Sequence, residues 1–395
     1  MILPKDLSKS IKEKMKDNLI FNALENEEIR VKNTYNLIAS ENLPSKEQLK
    51  ALGHMINFKY TEGKVGRRFY QGNINTDKIE KECIERAKKL FKCKVANVQP
   101  LSGAVMNIAL ISRILKPNDK ILAMSLKDGG HLTHGSEVNF IGKNYNVIPY
   151  GVNENGFLDY EEIERMAIKF KPKLIISGAT NYSRKINFQK FSRIAQFVKA
   201  YHLADISHIA GLCVTGFHQS PIKYADFVTT TTHKTLRSVR SGIILSNKLQ
   251  YKNLIDNSIF PHFQGGTHPN IIAAKAIGFK EAMKPSFKNY IRKVLENTKY
   301  LCEELKKRYF NIVSNGTDNH MFCIDLKNKG MDGRTFAEKL ESKGVIVNAN
   351  TIPGDTGTPW RPKGIRIGLA LETTKGITKK QINDIVRIME EIRWE

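Results

Sequence analysis

No stretch of this sequence approaches the roughly 20 consecutive apolar residues that a membrane-spanning helix needs, which argues against a helical membrane protein. Cysteine is scarce: Cys83, Cys93, Cys213, Cys302 and Cys323 are scattered, odd in number, and form no Cys-x-x-Cys pair. Such a set argues against a disulfide framework and a thiolate zinc site, and it suits a reducing compartment. The first 18 residues lack the apolar core of a secretory signal. They also carry Asp6, Glu13 and Asp17 among their lysines, unlike an acid-poor transit peptide. The expected location is therefore the cytoplasm, with no membrane association. Acidic residues are also few, 39 against 63 Lys and Arg, for a net charge of +24. A polyanionic partner could exploit that excess. However, the lysines run along the whole chain, no nucleic-acid motif accompanies them, and a bias towards Lys, Ile and Asn produces the same charge. Nucleic acid is not the expected partner, although a basic surface attracts anionic substrates.

What is present describes a globular chain. With 395 residues, 41% hydrophobic and 26% charged, it can bury a large core and divide into two or three domains. There is no internal repeat or low-complexity linker. Residues 1–35 read as a helical arm, 36–285 as a large domain and 286–395 as a smaller one. Within the large domain, predicted strands (95–98, 120–124, 146–150, 174–177, 202–206, 227–232, 243–246) alternate with predicted helices (75–91, 104–115, 158–169, 187–200, 268–283). The first of these helices is expected to open at Thr76 and Asp77. This alternation predicts an α/β fold with a mostly parallel seven-stranded sheet and helices on both faces. A charged helix from Lys288 to about Tyr309 leads to an α+β domain, with strands at 320–326, 345–348 and 364–367 and helices at 333–343 and 376–393.

The most informative stretch is Thr229-Thr230-Thr231-Thr232-His233-Lys234. A β-branched run favours a strand, and a lysine closing a buried strand is desolvated, which lowers its pKa towards a nucleophilic amine. Such amines form Schiff bases with carbonyls, among them the aldehyde of pyridoxal phosphate. That cofactor needs an acid facing its ring nitrogen, a phosphate cup and a flat cover for the ring. Asp205, at the end of another strand, supplies the acid. Ser102-Gly103, between a strand and a helix, supplies an anion-binding turn. His131, in Gly129-Gly130-His131-Leu132-Thr133-His134-Gly135, supplies the cover. His131 and His134 lack a third ligand nearby, so a metal site is not expected. Arg366 can fork onto a carboxylate.

Taken together, these motifs resemble the serine hydroxymethyltransferase family, from about Asn36 to the C-terminus. The matches are LIASEN (37–42), Lys59–Tyr70, GGHLTHG (129–135), DISHIAGL (205–212), TTTTHKTL (229–236) and GTDNH (316–320). The resemblance implies a pyridoxal-phosphate transferase of fold type I that reversibly moves the hydroxymethyl carbon of serine to tetrahydrofolate, leaving glycine. It implies a Schiff base on Lys234, with Asp205 on the ring nitrogen and His131 on the ring. His208 and Thr180 would lie near the phenolic oxygen and the substrate, with His233 beside the reacting lysine. Ser102, Gly103 and Gly266 would hold the phosphate, joined by Tyr60 from a second subunit. Ser40 and Arg366 would grip the substrate carboxylate. Glu62, also from the second subunit, would shuttle a proton with help from Tyr70. Leu126, Gly130, His131, Leu132, Asn350, Thr358, Pro359 and Trp360 fall where the family contacts folate. Shared sites imply a homodimer.

The chain departs from the family pattern at Phe69 and Gln71, at Ala104 in place of a second serine, at Thr267 in place of a proline, at Ser238-Val239, at Leu369–Glu372 and at Lys375. The alternative these departures raise is a related aldolase or transaldolase that adds glycine to an aldehyde from a source other than folate.

Overall fold

Alternation of apolar residues between two buried faces builds the centre of the molecule. In a computed structural model, which describes residues 17–327 and 330–394, the large sheet has seven strands. They are β1 (Val95–Asn97), β2 (Lys120–Met124), β3 (Asn146–Tyr150), β4 (Leu174–Ser177), β5 (Tyr201–Asp205), β6 (Phe227–Thr231) and β7 (Gly242–Ser246). Their order across the sheet is β1-β7-β6-β5-β4-β2-β3, and only β7 runs antiparallel to its neighbours. Successive side chains point to opposite faces. Ile121 and Ala123 therefore pack with helix Gly103–Ile114, while Leu122 and Met124 pack with helices Ile74–Phe91, Phe188–Phe197 and Pro269–Ala282. Both faces are covered, as a parallel sheet requires.

A second, antiparallel sheet is built from β8 (Asn311–Ile312), β9 (Met321–Asp325), β10 (Asn348–Asn350) and β11 (Gly364–Gly368), in the order β8-β9-β11-β10. It has its own core around Phe322, Phe336, Leu340, Ile365, Ile382 and Met389. Helix Pro285–Lys307 serves both cores: Phe287, Ile291 and Val294 belong to the first, Leu301 and Leu305 to the second.

Two local expectations change. Helix Ile74–Phe91 opens at Asn73, before Thr76 and Asp77. Asn73 Nδ2 donates to the carbonyls of Tyr60 and Tyr70, at 3.2 and 2.8 Å, and its Oδ1 accepts from the Thr76 hydroxyl at 2.6 Å rather than from a helix N–H. The single strand expected over 345–348 is two pieces, because Val345–Ile346 pairs in parallel with Tyr35–Asn36 while β10 pairs with β11. As a result Leu37 is buried in the second core, not the first. Helix Asn18–Asn33 has no buried residue, and Leu19 is 79% exposed. Residues 1–16 of the expected arm lie outside the described residues. Among the described residues no helix is long and apolar enough to cross a membrane. All five cysteines are buried and free.

Candidate active site

In a parallel sheet the carboxyl ends of the strands share one edge, and ligands bind beyond it. Here β2, β4, β5 and β6 deliver Leu126, Thr180, Asp205 and Lys234 to that edge. Because β7 runs the other way, the segment leading into its first residue, Gly242, brings Arg240 to the same place. The cavity they enclose has a volume of about 340 Å³ and is also lined by Ser40, Gly103, Asn107, Gly130, His131, Leu132, His134, Ser207, His208, His233 and Arg366.

Lys234 is largely enclosed by the cavity wall, and its Nζ donates to Thr231 Oγ1 at 2.8 Å. Desolvation, with Arg366 and Arg240 nearby and only Asp205 opposing, lowers its pKa to about 8. The amine is thus far easier to deprotonate than an exposed lysine. Burial alone would raise the Asp205 carboxyl, but hydrogen bonds from His134 and Ser207 outweigh it and hold the group well below the usual range. Asp205 Oδ2 accepts from Asn107 Nδ2 at 2.9 Å and meets His134 Nε2 at 3.2 Å. Its Oδ1 accepts from Ser207 N at 3.0 Å and Ser207 Oγ at 2.6 Å. The result is a fixed anion on the cavity floor.

Three nearby histidines, His131, His208 and His233, are held neutral. Burial, reinforced by neighbouring positive groups, lowers His131 to about 4 and His233 to about 3, and holds His208 well below its ordinary value. His208 stacks on His320 with ring centroids 5.5 Å apart. The loop carrying His131 folds back on β2 through Gly130, whose amide donates to Ser125 O at 2.7 Å. A Cβ at Gly130 would lie 2.1 Å from Met124 O, so only glycine allows this approach. Arg366 is buried on β11. Its Nε donates to Asn348 Oδ1 at 3.2 Å and its NH1 to Thr180 O at 2.7 Å. Among the described residues no carboxylate acts on its charge, which leaves the guanidinium for an incoming anion.

Pyridoxal phosphate fits these residues. Three cations, Lys234, Arg240 and Arg366, face one carboxylate, so the cavity holds excess positive charge suited to a phosphate and a substrate carboxylate. The helix that starts at Gly103 points its free amides there, and a Cβ at Gly103 would lie 2.6 Å from Thr231 Cγ2. Asn107 Oδ1 and His233 Nδ1 are buried without partners, two polar atoms available to a ligand.

Several expected site residues do not line this cavity. The Ser102 hydroxyl caps its own helix, accepting from Val105 N at 3.3 Å. Tyr60, Glu62, Tyr70 and Gly266 form a separate surface cluster: the Tyr60 and Tyr70 rings are 4.9 Å apart, and a Cβ at Gly266 would be 3.7 Å from Tyr60 and 3.9 Å from Glu62. Thr267 helps tie this cluster together, its hydroxyl 2.6 Å from that of Thr61. Asn350, Thr358, Pro359 and Trp360 also lie off the lining, with Trp360 73% exposed beneath Arg334 at 4.2 Å.

A sequence model of the serine hydroxymethyltransferase family matches residues 13–389. The chain belongs to the serine hydroxymethyltransferase family. The serine hydroxymethyltransferase of Phytoplasma australiense is 48% identical over 381 residues, covering 95% of this chain and 92% of that one. Those of Rickettsia prowazekii (strain Madrid E) and Rickettsia akari (strain Hartford) are 47% and 45% identical over 377 residues, each covering 95% of this chain and 90% of theirs. Serine hydroxymethyltransferases are oligomeric pyridoxal-phosphate enzymes of fold type I that use serine, glycine and tetrahydrofolate, and the seven-stranded sheet agrees with that fold.

The positions at which this member departs from the family pattern, Phe69, Gln71, Ala104 and Leu369–Glu372, do not line the cavity. Glu372 instead accepts from Asn36 N at 2.8 Å and from Lys375 Nζ at 2.9 Å, and Lys375 reaches the carbonyls of Val31 and Thr34. The segment fastens the N-terminal chain to the small sheet. Sequence reasoning assigned no role to Asn107, His134, Ser207 or Arg240. Asn107 was within reach, since it lies one helical turn after Gly103 and so shares its face.

Proposed function

We propose that this chain catalyses the reversible conversion of L-serine and tetrahydrofolate to glycine, methylenetetrahydrofolate and water, with pyridoxal 5'-phosphate on Lys234. The observation that carries this reading is one cavity in which an enclosed lysine of lowered pKa, the hydrogen-bonded Asp205 and the carboxylate-free Arg366 converge. When bound, the cofactor supplies an electron sink for the pair left by cleavage of the serine Cα–Cβ bond. Asp205 keeps a proton on the ring nitrogen, and His131 covers the ring. Arg366 and Ser40 hold the substrate carboxylate and so orient the scissile bond. His208 and Thr180 sit beside the substrate, His233 beside the lysine. The amides at Gly103 hold the phosphate, and Leu126, Gly130 and Leu132 form the cavity wall offered to folate.

Tyr60, Glu62, Tyr70 and Gly266 complete the cavity of a second copy, with Glu62 as the proton-carrying carboxylate and Gly266 and Tyr60 on the phosphate. The surface cluster supports this homodimer, as do the exposed apolar residues Phe58 and Phe69 beside it and Leu19 and Leu24 on the N-terminal helix. The chain divides functionally into an N-terminal arm, a cofactor-binding domain and, from about residue 286, a small domain carrying Arg366. Its free cysteines suit the cytoplasm.

Serine labelled at Cβ provides the test. The label is expected to appear in methylenetetrahydrofolate with equimolar glycine, and only when tetrahydrofolate is present. Cleavage of 3-hydroxy amino acids that is indifferent to folate would favour an aldolase instead.

A further inference from the structure

The cavity and the Tyr60 surface cluster are joined within one chain by buried polar side chains. Gln99 follows β1 and lies just before Ser102-Gly103. Its Nε2 donates to Gly63 O at 2.9 Å and to Glu80 Oε1 at 2.8 Å, so it anchors the loop that carries Tyr60, Glu62 and Tyr70. The Gln99 backbone carbonyl accepts from Gln264 Nε2 at 2.8 Å, which anchors Gln264-Gly265-Gly266. Glu80 is held in turn by Arg68 at 2.7 Å, and Arg68 donates to the carbonyls of Thr61 and Gly63 at 2.8 and 3.1 Å. On the other side of the same segment, Lys275 Nζ donates to Val98 O, to Ser241 Oγ at 2.9 Å and to Gly242 O at 3.3 Å. Ser241 Oγ then donates to Pro100 O at 2.8 Å. Gln99 is only 5% exposed. Glu80 is equally buried, at 4%, so losing one partner strands buried polar groups and displacing one member moves the others.

We propose that Gln99 is a positioning residue for two active sites at once. Through the segment Val98–Ser102 it sets the phosphate-holding turn of its own cavity. Through Gly63 and Gln264 it sets the cluster offered to the second copy. The chemistry of the side chain suits this double role, because a neutral amide has two N–H donors, and here one serves the loop carbonyl and the other the Glu80 carboxylate. This inference rests on the reading that the Tyr60 cluster completes a neighbouring cavity.

Mixed dimers of two differently tagged chains test it. One copy carries Lys234→Ala and has no cofactor lysine, so only the other copy's cavity is productive. Visible absorption reports the affinity of pyridoxal phosphate at that cavity, and kcat is measured alongside. With Gln99→Leu added to the Lys234→Ala copy, the productive cavity keeps its own Gln99 but receives a disturbed cluster. Affinity there should fall about tenfold, the scale of one lost buried hydrogen bond. Moving Gln99→Leu to the productive copy should also weaken binding. A loss from only one placement overturns the two-site role. Gln264→Leu, on the less buried side, removes only the bond to the Gln99 carbonyl and covers the case in which Gln99→Leu does not fold. It should act from the Lys234→Ala copy, and an effect only from the productive copy would overturn the proposal. Glu62→Gln tests the underlying reading separately: kcat should fall when it sits in the Lys234→Ala copy, and a fall confined to the productive copy would reject shared sites.

Discussion

His134 stands directly behind Asp205. Its Nδ1 accepts from the backbone N–H of His131 at 3.2 Å, so the ring proton is on Nε2, which meets Asp205 Oδ2 at 3.2 Å. The second histidine of the GGHLTHG loop thus serves the carboxylate while the first covers the cavity. Asp205→Asn removes the anion and should lower kcat by about 10²–10³-fold, the scale of one preorganised electrostatic partner. His134→Gln should cost less, because Ser207 and Asn107 remain. Steady-state kinetics of the two variants check this order.

Lys234 is sensitive to the charges that share its cavity. Its pKa of about 8 means that the neutral, reactive amine grows in as pH rises through that value. Arg240→Gln removes a positive neighbour, so the titration should move to higher pH. Asp205→Asn removes the opposing negative charge, so it should move to lower pH. Reductive methylation of the cofactor-free protein, read at Lys234 by peptide mass spectrometry across neutral to alkaline pH, measures both shifts.

Much of this was legible in the chain. Strands such as Lys120–Met124 and Leu174–Ser177 are short apolar runs between polar turns, and they occur where the pattern places them. Lys234 and Asp205 stood out because a charged group closing a buried strand needs a reason, and Arg366 because it interrupts the short apolar run Gly364–Gly368. Arg240 did not, because its place at the rim depends on β7 being antiparallel, and a single short run does not reveal its direction. Trp360, which the resemblance places at folate, stands apart from the cavity lining, with its ring packed on Arg334.

That difference can be measured. Leu132→Ala removes cavity wall and should raise the KM for tetrahydrofolate several-fold, on the scale of about 1–2 kcal/mol for lost apolar contact. Trp360→Ala should leave that KM nearly unchanged.

Arg366→Lys keeps the charge but loses the planar fork. The KM for serine should rise by about tenfold or more, the scale of a charge-assisted hydrogen bond, with little change in the affinity for pyridoxal phosphate. Separate serine and cofactor titrations distinguish the two effects.

If Lys234 is the cofactor lysine, borohydride reduction of the holoenzyme will show it. Reduction locks the cofactor to the amine that holds it, and peptide mass spectrometry then locates the mass. A single modified peptide containing His233-Lys234-Thr235 is expected, absent from Lys234→Ala. Modification at any other lysine, with Lys234 left free, would contradict it.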